Sequence, residues 1–142
     1  EWGPSLDGRG HPLTRWFRRS PVAPETPGAR AEQLARRYLE KKGFRFLAAN
    51  HRTRFGEVDL VMEEGTTVVF VEVKARSRSD FGRPEEFVTA AKQARVAKAA
   101  LDFVKARGLS DRPLRFDVVG LLGEEIAHLP NAFVPEAGRY LF

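Results

Sequence analysis

The 142-residue chain has no cysteine, a single methionine and only two tryptophans. The missing cysteines exclude a disulfide framework and every thiolate-based metal site, and they fit a reducing compartment. No apolar run approaches the roughly 18 residues needed to cross a bilayer. The first residues as given have no apolar centre of the secretory type. The expectation is therefore a cytoplasmic protein with no membrane partner. No glycine-rich phosphate loop occurs, and no Ser/His/Asp arrangement for nucleophilic catalysis. The three histidines, His11, His51 and His128, are too scattered for a zinc spacing and read as surface or packing residues, although His51 could also touch a phosphate.

What is present describes one globular domain. Hydrophobic residues make up 42% of the chain and charged residues 30%, and the length is sufficient for a real core. The net charge of +5 is unevenly spread. Residues 31–56 carry a local +5, residues 57–74 a local −4, and residues 75–118 a local +4. An acidic centre between basic flanks suits a polyanion gripped by its backbone while a cation sits in the middle; an ordinary mixed-charge surface would carry the same totals.

Along the chain, residues 1–28 hold five of the nine prolines and no apolar period, and they read as an irregular arm. Trp16-Phe17-Arg18-Arg19 within it could stack on nucleic acid or pack on the domain. The domain proper is expected over residues 29–142. Ala31, Leu34, Ala35, Tyr38 and Leu39 recur at amphipathic-helix spacing, and Gly43 stops the helix. Strands follow at 44–49, at 57–63 and, after a Glu-Glu-Gly-Thr turn, at 67–75. The spacing puts Val58, Leu60 and Met62 on one face of the second strand and Glu57, Asp59 and Val61 on the other. On the third strand, Val68, Phe70, Glu72 and Lys74 face away from Val69, Val71 and Val73. Both halves are apolar, so this strand should be central and covered on both sides. Residues 84–107 read as helical, broken near Thr89, which is placed to cap Ala90–Arg107 with Ala91, Ala94, Ala97, Leu101 and Val104 inward. Two more strands run through Leu114–Val119 and Glu125–Leu129. The fold class is α/β in the order α-β-β-β-α-β-β.

Charges inside apolar strands need a partner, a metal or a task, because an isolated ion resists leaving water. Asp59, Glu72 and Lys74 are such charges. Phosphodiester cleavage needs polarisation of the phosphate, an in-line water and neutralisation of developing charge. Magnesium uses hard oxygen ligands and few protein carboxylates. Asp59, Glu72 and the Val73 carbonyl could hold Mg²⁺ or Mn²⁺, Lys74 could orient or deprotonate the attacking water, and Glu32 could reach the site from the first helix. Arg52, Arg54, Arg76, Arg78, Lys92 and Arg95 are the candidate phosphate contacts. A buried structural Glu72–Lys74 ion pair is the competing reading.

Taken together, Ala31-Glu32, Tyr38-Leu39, Gly43-Phe44, Asn50-His51-Arg52, Gly56-Glu57-Val58-Asp59-Leu60-Val61, Phe70-Val71-Glu72-Val73-Lys74-Ala75-Arg76, Lys92, Arg115-Phe116-Asp117-Val118-Val119 and Asn131-Ala132-Phe133 resemble the YraN family of bacterial predicted endonucleases. The likeness spans about residues 28–134. It implies a restriction-endonuclease-like mixed sheet flanked by helices, within the PD-(D/E)xK superfamily and similar to Holliday junction resolvases. It further implies a metal at Asp59 and Glu72, Lys74 as the catalytic lysine and Glu32 as the helix glutamate. Val58 stands where the superfamily usually has proline. The expected function is a metal-dependent endonuclease acting on DNA, branched or damaged, with a homodimer suggested by analogy to resolvases. The alternatives are a nucleic-acid-binding module that keeps the fold without catalysis, and a structural partner protein.

Overall fold

A threonine starts each helix. In the computed structural model, which describes residues 26–76 and 88–135, Thr26 Oγ1 accepts the Ala29 N–H at 3.0 Å at the head of α1 (Pro27–Lys41). Proline follows at the first helical position, where its missing N–H costs nothing. The helix thus begins four residues before the apolar period that signalled it. Thr89 Oγ1 accepts the Lys92 N–H at 3.2 Å ahead of α2 (Ala90–Arg107), as its sequence position suggested. Gly108, in the left-handed conformation at φ 69°, ends α2. The arm with His11 and Trp16–Arg19, the expected helical residues 84–87, Arg78 and the side chain of Arg76 lie outside the described residues.

The strands are β1 (Arg45–Arg52), β2 (Glu57–Glu64), β3 (Thr67–Arg76), β4 (Leu114–Leu122) and β5 (Glu125–Leu129). They form one mixed sheet in the order β1-β2-β3-β4-β5. Neighbours are antiparallel except β3 and β4, which run parallel with α2 between them in the chain. β3 is the centre, as its apolar run implied. On one face, Ala31, Ala35 and Leu39 of α1 pack on Leu60, Met62, Val69, Val71, Val119 and Leu121. On the other, Val96, Ala99, Ala100, Phe103 and Val104 of α2 pack on Val61, Val68, Phe70 and Phe116. Full burial of side chains such as Leu39 and Phe103 contributes about 1.5–3 kcal/mol each.

Two expected faces need correction. The buried residues of α2 are Val96, Ala97, Ala99, Ala100, Phe103 and Val104, while Ala91 is exposed and Leu101 only partly covered. Alanines lie almost all round this helix, so several phases fit its period, and the bulk of Phe103 decides between them. Val58 packs with Val61 under α2, whereas Leu60 and Met62 lie under α1. The alternation of β2 therefore slips at Asp59. Across the ladder, Ala49 pairs with Leu60 and His51 with Val58, and Asn50 between them adopts a left-handed φ of 54°.

Candidate active site

The slip at Asp59 is where the site begins. β2 and β3 pair from Glu64↔Thr67 to Leu60↔Val71 and then part. Asp59 Oδ2 accepts the Val73 N–H at 2.8 Å, so a side chain takes over from the backbone at the first rung that is lost. β4 keeps its parallel pairing with β3 out to Arg76↔Leu122. β3 is thus held straight on one side while β2 swings away on the other, leaving a gap that opens beside Glu72. In strand geometry the N–H and C=O of one residue point to the same neighbour, so the Val73 carbonyl faces this gap as well.

Glu72 is only 3% exposed. Lys92 Nζ, from the first turn of α2, lies 2.5 Å from Glu72 Oε2, and Lys74 Nζ lies 3.6 Å from the same oxygen. Among the described residues, the other carboxylate oxygen, Glu72 Oε1, is buried with no hydrogen-bond partner. A buried acceptor without a donor costs about 1–3 kcal/mol, more when charged, and marks a place where a cation or donor belongs.

The electrostatics agree. Burial, and then repulsion from Glu72, push the Asp59 carboxyl up to about 7. Burial also raises Glu32, against a hydrogen bond from Asn50 and with added repulsion from Glu57 and Glu72. Burial, a hydrogen bond with Lys92 and the Lys92 charge lower Lys74. Burial works against the charge of Lys92 too, but its bonds to Glu72 and Lys74 and its attraction to both acids outweigh that and raise it. Asp59, Glu72 and Glu32 thus repel one another across the gap, with Lys92 and Lys74 opposing that repulsion.

Two adjoining clefts, of about 450 and 360 Å³, meet at this gap, and Asp59, Glu72 and Lys92 line both. The first is walled by the β1–β2 turn and α2, with Arg52, Arg54 and Arg95 along it. The second lies under the start of α1 and contains Glu32, Val73 and Lys74. The sheet's split end thus opens toward both helix starts. Among the described residues no three His, Cys, Asp or Glu side chains gather as a ready metal cage. Asp59 and Glu72, with a carbonyl and water, make the sparse oxygen set that suits magnesium rather than zinc. The orphaned Glu72 oxygen and the raised Asp59 fit such an ion.

The sequence-derived candidates divide accordingly. Asp59, Glu72, Val73, Lys74 and Glu32 come together in the gap, and Arg52, Arg54 and Arg95 line its α2-side wall. Arg52 also pairs with Glu57 at 3.3 Å. Lys92, singled out for phosphate, lines both clefts and pairs with the buried Glu72 carboxylate. Asn50, quoted only within a motif, steadies Glu32; its left-handed backbone is a turn-type signal that asparagine tolerates better than most residues. His51 and His128 are packing residues. His51 bonds Asp102 at 2.9 Å and sits edge-on to Phe103. His128 bonds Asp117 at 2.8 Å and Lys42 at 2.8 Å, in a network with Arg115.

Comparison with other proteins agrees with the motif resemblance. The profile of the uncharacterised protein family UPF0102 matches residues 31–121. The UPF0102 protein of Sulfurihydrogenibium sp. is 44% identical, over 72% of this chain and 89% of its own. That of Nitrosococcus oceani is 41% identical, over 82% of this chain and 98% of its own. That of Anaeromyxobacter dehalogenans is 46% identical, over 75% and 82% respectively. Among the described residues no helix is long and apolar enough to cross a membrane. With its matched stretch covering most of α1, all of α2 and the strands from β1 through most of β4, the chain belongs to the uncharacterised protein family UPF0102, the YraN family.

Proposed function

We propose that the protein is a metal-dependent endonuclease that hydrolyses phosphodiester bonds in DNA. The observation that carries this reading is the buried Glu72 carboxylate, one oxygen without a partner among the described residues, meeting Asp59 where the strands separate. Asp59, Glu72 and the Val73 carbonyl would hold Mg²⁺ or Mn²⁺, and Glu32, bonded by Asn50, would support them from α1. Such an ion, when bound, supplies Lewis-acid polarisation of the phosphate and a more acidic water.

The chain's own residues divide the remaining work. Lys74, its ammonium weakened by burial and by Lys92, is suited to orient a water or accept its proton. Lys92 pairs with Glu72 and orients it. Arg52, Arg54 and Arg95 offer charge to phosphates along the cleft wall. The carboxylates stay close because the Val73 N–H fixes Asp59 on the strand that carries Glu72.

The test uses the full chain with end-labelled junctions, flaps, single strands and duplexes, with and without Mg²⁺ or Mn²⁺. Cleavage of at least one structure, requiring the metal and abolished by Asp59→Ala or Lys74→Ala with binding retained, is the expected result. Binding without cutting of any structure under either metal overturns the proposal.

A further inference from the structure

The β1–β2 turn carries an unusual pairing of rigidity and exposure. Phe55 at its tip is 49% exposed, one of two large apolar side chains so placed among the described residues. A lone exposed phenylalanine on a mobile loop would mean little. This turn is tied down instead. Thr53 Oγ1 accepts the N–H groups of Phe55 at 3.0 Å and Gly56 at 3.1 Å, and its own hydroxyl donates to the Gly56 carbonyl at 3.1 Å. The Thr53 N–H donates to that carbonyl at 2.8 Å. Gly56 rests directly on α2, where an added Cβ would fall 2.7 Å from the Arg95 carbonyl oxygen. Both ends of the turn are therefore fixed, and Phe55 is held at the wall of the cleft that contains Asp59 and Glu72.

The surroundings of the ring name its occupant. The Arg54 guanidinium lies 5.2 Å and the Lys98 ammonium 5.5 Å from the ring centroid. Arg95 lines the same wall. An apolar protein surface would have to desolvate these cations, whereas a nucleotide brings a flat base for the ring and a phosphate for the charges. In an intact duplex both faces of every internal base are already stacked. Only an unpaired or splayed nucleotide offers a free face.

We infer that Phe55 is a stacking platform for an unpaired nucleobase, and that the cleft takes nucleic acid with single-stranded or unstacked nucleotides in preference to intact duplex. The inference deepens the nuclease reading and rests on its assignment of the cleft to nucleic acid.

Its test separates the two. The full chain carrying Asp59→Ala is mixed, in EDTA, with an oligonucleotide containing 2-aminopurine in a single-stranded stretch, and with the fully paired duplex of the same sequence. Fluorescence and affinity are read, so cutting plays no part. Stacking is expected to quench the single-stranded probe. Adding Phe55→Ala should remove the quench and weaken that binding about 5- to 100-fold, with duplex binding changed less than about twofold. Phe55→Trp should preserve the quench. Phe55→Leu, which keeps an apolar tip without a π face, should lose it and guards against misfolding of the alanine variant. A quench and affinity unaffected by Phe55→Ala overturn the inference. So does an equal loss for single strand and duplex, or a change confined to oligomeric state by size-exclusion chromatography. If wild type binds as described yet never cleaves, the nuclease reading falls and the platform stands.

Discussion

Replacing Asp59 by asparagine should make this protein more stable while removing the chemistry proposed for it. The amide keeps an oxygen to accept the Val73 N–H that Asp59 takes at 2.8 Å, so the pinned strand geometry survives. It removes a charge that burial and Glu72 both oppose. A carboxyl whose folded pKa lies above its unfolded one holds its proton more tightly in the native state. Stability therefore falls as pH rises from about 4 to about 7. Asp59 moves from 3.8 to about 7. At about 1.4 kcal/mol per unit this comes to somewhat more than about 4 kcal/mol. Because the repulsion is shared with Glu72, we expect Asp59→Asn to be about 2–4 kcal/mol more stable than wild type at pH 8 in EDTA, or roughly 6–15 °C in Tm. The gap should close by pH 4. Urea denaturation at both pH values measures it. Millimolar Mg²⁺ at pH 8 should raise the wild-type midpoint, because binding to the native state stabilises it, and should leave the variant unmoved. Equal stability of the two proteins at pH 8, or a variant less stable than wild type, refutes the argument that the two acids strain the native state.

Three other outcomes follow from the same structure. Lys92→Met removes the cation nearest Glu72 and leaves Lys74 at 3.6 Å as its partner, so a loss of about 1–3 kcal/mol in urea melts is expected; no change would mean that Lys92 is an ordinary surface charge. Gly56→Ala forces the β1–β2 turn off α2 and should cost about 1–3 kcal/mol, read as a lowered thermal midpoint. Buried Asp117 has its pKa lowered because bonds from His128, Arg115 and the Asn131 N–H outweigh burial; its stabilisation is present above the ordinary carboxylate range and fades as pH falls through its folded value. Asp117→Asn should therefore cost about 3–5 kcal/mol at neutral pH and flatten the acid limb of stability against pH, which a pH series of urea midpoints will show.

Element order, the central strand and the meeting of Asp59, Glu72 and Lys74 were legible because period-two strands and a misplaced charge pattern are local signals. What escaped was set by tertiary geometry. The face of Val58 depends on Asp59 turning into the sheet's gap to reach the Val73 N–H, and no alternation rule encodes that. The partner of Lys92 lies 20 positions earlier in the chain and on another element, so spacing could only place it near the motif. The true face of α2 was hidden among alanines until Phe103 met the core. The start of α1 is written in the cap pair Thr26-Pro27, a signal that apolar period does not contain.

The parting of β2 from β3 after Val71 also bears on self-association. Among the described residues, β3 from Glu72 to Arg76 pairs on its β4 side only, a half-open edge that continues the apolar stretch Val68–Val71. Natural edges of this kind are guarded by inward charges. Here the guards are Glu72 and Lys74, with the Asp59 carboxylate occupying the Val73 N–H that another strand would seek. Charges placed as these are would also oppose addition of another strand at this edge, so variants that neutralise all three together are expected to aggregate into fibrils more readily, as well as to lose the proposed activity.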